Sequence, residues 1–165
     1  MSPIEWLNQR APGFRHLSQP EKDATMHFAL LWSLFEAKAL DTRASASAIL
    51  SLVHEWQAQG RLDASKFSDH LEHFKIRYFA NGQPTHHFNG LHLRNGDNPA
   101  LVRAVLSGAN VDPADSVAAL FIVVYRLRNN LFHGMKWADE LRDQLANFNH
   151  ANSALMSALD ICGNV

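Results

Sequence analysis

Three helix starts carry a proline in the first turn, where its missing N–H costs nothing, and they commit most of the chain to helices. Ser18-Gln19-Pro20-Glu21 forms a capping box, in which the serine side chain meets the N3 amide and the glutamate reaches back. Asn98-Pro99 opens a short helix to about Leu106, closed by Gly108. Asp112-Pro113-Ala114-Asp115 combines cap, proline and an acid at the third position. After the first start, Ala24, Phe28, Leu31, Trp32, Phe35 and Ala39 recur at helical spacing. Met26, Leu30 and Leu34 widen that face, so a largely buried helix is expected to about Leu40. Residues 45–59 place Ile49, Leu52, Val53 and Trp56 on one face, with Gly60 as the stop. Asp63 caps a third helix carrying Phe67, Leu71, Phe74 and Tyr78 before Asn81-Gly82.

Residues 83–97 hold no clear period and read as a long loop with a short hairpin around 88–93. The helix begun at Asp112 carries Val117, Leu120, Phe121, Val124, Leu127 and Leu131 on one face, while Ile122 and Val123 supply a second. A helix apolar on two sides is either central to a bundle or covers a partner subunit. A last helix is expected over about residues 138–159. With strand patterns nearly absent, the expected fold class is all-α: an irregular bundle of about five to six helices. The expected organisation is an N-terminal arm, residues 1–17, and a single helical domain, residues 18–165.

Composition narrows the function classes. Of 165 residues, 47% are hydrophobic and 19% charged, a globular balance that excludes a disordered or collagen-like chain. Lys plus Arg total 15 against 16 Asp plus Glu, so any nucleic-acid contact must use a local patch. The single cysteine, Cys162, excludes an intramolecular disulfide and a Cys-rich zinc motif. The most apolar run, residues 117–124, falls far short of the roughly 20 residues that span a bilayer, and the first ten residues lack a signal-peptide pattern. The expectation is a cytoplasmic protein with no membrane contact.

Chemistry concentrates in Tyr125-Arg126-Leu127-Arg128-Asn129-Asn130-Leu131-Phe132-His133-Gly134, at the end of the most apolar helix. Arg128 and His133 are five residues apart, about 140° on a helix, whereas Asn129 and His133 stand at i, i+4 and can touch. A guanidinium binds phosphate oxygens bidentately and keeps its charge. A histidine exchanges a proton near neutral pH. Together with an amide they suit a phosphodiester whose internal nucleophile is the ribose 2′-hydroxyl, a reaction that requires no metal.

Arg128-Asn129-Asn130-Leu131-Phe132-His133 resembles the R-x4-6-H motif of the HEPN superfamily, with its polar residue directly after the arginine. The helical pattern agrees over about residues 18–160. The resemblance implies an all-α HEPN-like bundle, and a homodimer with two motifs facing across one cleft. It implies a metal-independent endoribonuclease of toxin–antitoxin, phage-defence or RNA-processing type, with Arg128 and His133 catalytic and Asn129 supporting them. A cognate antitoxin or a nucleotidyltransferase is the protein partner it implies, and no cofactor. Arg126, seven before His133, fits a looser spacing. Glu36, in an otherwise apolar stretch, is the candidate carboxylate from an early helix, with Arg128 as its partner, and Tyr125 is a candidate contact for a base or phosphate.

Two other readings stand beside this one. The first is a HEPN-like nucleotide- or RNA-binding or partner-interaction module without catalysis. For it, Arg126, Arg128, Lys136 and Arg142 offer a small basic patch offset by Asp139 and Glu140. The second is a metal-dependent hydrolase using some of the 10 histidines, with His70 and His73 at i, i+3 and His86, His87 and His92 in the loop. No HExxH is present, and a solvated histidine-rich face is the simpler account.

Overall fold

The computed structural model describes residues 1–134 and 141–163. Its eight α-helices among the described residues are α1 (Pro3–Arg10), α2 (Gln19–Ala39), α3 (Ala46–Ala58), α4 (Ser68–Tyr78), α5 (His86–Asn89), α6 (Pro99–Leu106), α7 (Pro113–Phe132) and α8 (Leu145–Cys162). Short 3₁₀ turns cover Phe14–His16, Ala64–Phe67 and Asn95–Asp97. The fold is all-α apart from a two-stranded antiparallel hairpin, β1 (Phe79–Ala80) and β2 (Gln83–Pro84).

The local start signals hold. Ser18 and Glu21 close the capping box on α2, and Asn98 and Asp112 accept from the third amides of α6 and α7. Asp63 caps the 3₁₀ turn that leads into α4 rather than α4 itself.

The core gathers around α7. Residues 117–124 are all buried, so both apolar faces of this helix are covered within the chain. Ile122 and Val123 are therefore core residues, and the expectation that they cover a partner loses its basis. From α2, the Phe35 ring stacks on Phe121 at 5.3 Å between centroids, and Phe67 meets the same ring edge-on at 5.6 Å. Val102, Val105 and Leu106 of α6 and Ile49, Val53 and Trp56 of α3 close other sides. α8 lies antiparallel along α2, with Asn152 Nδ2 donating to the Ala24 carbonyl and Phe28 meeting Phe148 at 5.0 Å.

Four expectations are corrected. α2 is not largely buried: Met26 is 51% and Leu30 70% exposed, because α7 and α8 cover only part of its circumference. The hairpin lies at 79–84, not 88–93; Asn81 (φ 51°) and Gly82 (φ 73°) make the left-handed two-residue turn that antiparallel strands prefer. Residues 86–89 are helical, so the loop is broken early. α8 starts at Leu145, after a turn over 141–143; residues 135–140, where the last helix was expected to begin, lie outside the described residues. The arm contains α1 with its own capping box, and Phe14 and Leu17 reach the core.

Residues 90–97 pack under α7 through one buried pair. Arg126, 2% exposed, donates from Nε to the Leu91 carbonyl at 3.1 Å and meets Asp97 Oδ2 at 3.3 Å. Burial presses its pKa down and Asp97 pushes it back up, with Arg94 adding a smaller downward push. Asn130 Nδ2 donates to the carbonyls of Gly90 and Leu91. Removing one partner of such a pair leaves a buried charge unanswered. Asp97→Ala is expected to lower stability by about 3 kcal/mol or more in urea unfolding; a loss within about 1 kcal/mol, the range of an exposed pair, would show that the pair does not hold the loop.

Candidate functional site

At the far end of α7, Arg126, Leu127 and residues 129–131 are still buried, and exposure begins at Phe132 and His133. The helix stops at the His133 cap, whose N–H donates to the Asn129 carbonyl at 2.9 Å, and Gly134 turns left-handed at φ 73°. His133 is exposed there. Asn129 is 6% exposed, and its Oδ1 accepts from Arg128 Nη1 at 2.9 Å. The contact between Asn129 and His133 thus runs through the backbone, and no hydrogen bond joins their side chains.

Arg128 lies between α7 and α2. Its Nη2 stands 3.8 Å from Glu36 Oε2, with the two side chains 31% and 20% exposed. Its Cζ lies over the Phe132 ring at 5.2 Å from the centroid. Its Nε is shut off from solvent and has no hydrogen-bond partner among the described residues. Glu36 is held from three sides: Trp32 Nε1 donates to Oε2 at 2.8 Å, the Ala44 amide donates to Oε1 at 3.4 Å, and Arg128 faces Oε2. The carboxylate is accordingly fixed rather than solvated. Tyr125 is half-buried against Trp32, 5.8 Å between ring centroids, so its ring serves packing on the same side.

The structure brings together Arg128, Asn129 and Glu36, with Tyr125 and Trp32 beneath them. It separates Arg126, which is two residues and about 200° from Arg128 on the helix and is consumed by Asp97 and Leu91. Arg126 is corrected from supporting residue to core strut, and it drops out of the basic patch. Lys136, Asp139 and Glu140 of that patch lie outside the described residues.

The histidines are arranged differently from the metal reading. His70 and His73 of α4 meet His150 of α8, which sequence reasoning missed. The Nδ1 atoms of His70 and His150 are 3.1 Å apart, and the rings of His73 and His150 stack at 4.2 Å. His73 Nε2 bonds Asn147 Oδ1 at 2.8 Å. His86 and His87 pack on each other elsewhere, at 3.9 Å, and His92 is exposed with φ 51°. Among the described residues no group of three or more His, Cys, Asp or Glu side chains is placed to hold a metal ion. The signal for His150 was the polar run Gln144, Asn147, His150 at every third position of an otherwise apolar helix face.

No described helix is long and apolar enough to cross a membrane. Compared with known protein families, curated proteins and solved structures, the chain matches none.

The histidine cluster makes stability depend on pH. Burial holds His70 and His150 below the ordinary histidine value of 6.5; His73 adds to this at both, and Asp69 opposes it. The unfolded chain therefore takes up these protons first as pH falls, so stability present above pH 6.5 is lost below it. The 3.1 Å contact also needs one ring to stay neutral, since two imidazolium rings have no acceptor between them. Thermal unfolding between about pH 7.5 and 5.5, around the unfolded histidine value, should show a falling Tm that His150→Gln flattens. An equal slope in the variant would remove the cluster as its cause.

Proposed function

We propose that the chain is a metal-independent endoribonuclease of HEPN type, acting as a homodimer on RNA. The observation that supports this most is the clasp at the open end of α7. The arginine of the R-x4-H string reaches the carboxylate of an early helix, its neighbouring asparagine holds it, and the histidine is exposed at the cap. The resting pose of Arg128 is incompletely satisfied. Its ion pair is long and its Nε has no partner among the described residues, so phosphate oxygens offer the guanidinium more than Glu36 does.

In the proposed reaction, Arg128 binds and neutralises the scissile phosphate. The ribose 2′-hydroxyl gives its proton to a base and its oxygen bonds to phosphorus. The bond to the 5′-oxygen breaks, and that oxygen takes a proton from an acid. The products are a 2′,3′-cyclic phosphate and a 5′-hydroxyl, with no water or metal consumed. His133 and its counterpart in the second copy divide the roles of base and acid. Asn129 and Glu36 orient Arg128. Exposed apolar side chains that a second copy could cover include Met26 and Leu30 of α2 and Phe132, next to His133. A toxin or defence role, an antitoxin and a nucleotidyltransferase partner belong to the same reading.

A second reading is favoured by the neutralisation of Arg128. A guanidinium paired with Glu36 and Asn129 also fits a HEPN-like module that binds nucleotide, RNA or a partner protein without cutting.

The discriminating experiment is cleavage of an end-labelled mixed-sequence RNA in excess EDTA, beside His133→Ala and Arg128→Ala. The wild type is expected to leave cyclic-phosphate ends, and each variant to lose about 100-fold or more, the usual contribution of a general acid or base. Retained cleavage in His133→Ala would remove the proposed mechanism. No cleavage by the wild type, with RNA still bound, would establish the binding module.

A further inference from the structure

Beside Leu127 of α7, sharing no residue with the Glu36–Arg128 pair, lies a cavity of about 390 Å³. Its walls come from the end of α4, from α5, and from the turn and first residues of α8. Leu127 and Tyr78 form apolar surface, Arg77 and Arg142 bring guanidinium groups, and His86, His87, Gln144 and Asn147 complete the polar wall, with Asn147 Nδ2 donating to Gln144 Oε1 at 2.9 Å. The volume is that of a small-ligand site. Among the described residues, the carboxylate in its lining is Asp143.

The charges are arranged for exchange. The Arg77 side chain is only 15% exposed, so folding has already removed most of its water. Yet the acid that faces it, Asp143, is 82% exposed and stands 3.8 Å away, beyond hydrogen-bond distance. A mostly desolvated guanidinium with a loosely held surface carboxylate gains from a better anion. The Tyr78 hydroxyl lies beside Arg77. Burial lifts its pKa to about 12, although Arg77 opposes this by its charge and by a hydrogen bond that the hydroxyl oxygen accepts. The two guanidinium groups of Arg77 and Arg142 alone carry more donors than one carboxylate accepts. A terminal phosphate presents three oxygens and up to two charges.

We propose that this cavity binds a phosphate monoester, free or carried on a nucleoside, with Arg77 and Arg142 gripping the phosphate and displacing Asp143. The Leu127 and Tyr78 wall and the imidazole rings leave room for an apolar or aromatic group attached to it. The cavity shares no residue with Arg128, Asn129, His133 or Glu36, so the inference stands apart from the ribonuclease reading.

Calorimetric titration of the full chain with inorganic phosphate, adenosine 5′-monophosphate and adenosine tests it. Binding of the monophosphate, of phosphate, or of both is expected, with adenosine far weaker. Binding of phosphate alone assigns the site to the free ion, and binding of the monophosphate alone to the nucleotide. Arg142 is exposed, so Arg142→Ala should fold normally and weaken binding about tenfold, the loss of one charge-assisted contact. Arg77→Gln should abolish binding, Asp143→Asn should tighten it a few-fold, and His133→Ala should leave it unchanged. The inference is overturned if neither phosphate nor monophosphate binds at millimolar concentration, if adenosine binds as well as its monophosphate, or if Arg142→Ala binds like the wild type. Loss of binding in His133→Ala would overturn it too, by moving the anion to the α7 terminus.

Discussion

A helix with no solvent-facing side is the constraint on which the other elements depend. Across residues 117–124 every side chain of α7 is buried, so neighbours must close around its whole circumference. A single sheet face or one antiparallel partner cannot do that. α2, α3, α4 and α6 each contribute an apolar stripe, and α8 packs against both α2 and α4. This arrangement fixes where polar chemistry is possible. Polar residues enter in the last turns of α7, where Arg126, Asn129 and Asn130 are still buried and each has a partner, and where Arg128 and His133 reach the surface.

The polar residues in those turns divide by rotation. Arg126 and Asn130 face the 90–97 segment and are used up there. Arg128 faces α2, and its Nε has no partner among the described residues. Two arginines two positions apart in one helix therefore have opposite fates, one structural and one available. Separation by about 200° is enough to produce this, without any difference in residue type.

That division marks what a sequence can carry. Caps and stops were legible because their chemistry is local: Ser18, Asn98 and Asp112 meet amides three residues away. The pairing of Glu36 with Arg128 was legible too, since a carboxylate among Trp32, Leu34 and Phe35 has to find a cation. The fate of Arg126 was not, because its partner Asp97 sits in a segment without periodicity. Likewise, two apolar faces on α7 do not say whether the chain or a second copy covers them. Leu30 shows the reverse problem: an apolar residue at helical spacing is exposed once the neighbours run out. The histidine cluster and the cationic cavity each join residues some 65 to 80 positions apart. Spacing within one helix carries no trace of such contacts.

The 90–97 segment also bears on how this protein can vary. It has little regular structure, yet Gly90 and Leu91 offer their carbonyls to α7 and Asp97 closes on Arg126. Its length is thereby set as firmly as that of a core helix, since one added residue would carry Asp97 away from its cation. The Asn81-Gly82 turn is the opposite case. A Cβ built on Gly82 meets nothing within 4 Å, and the strands it joins are two residues each. Drift in loop length, tags and domain insertions belong at that tip; the apparently plainer connection eight residues later is closed to them.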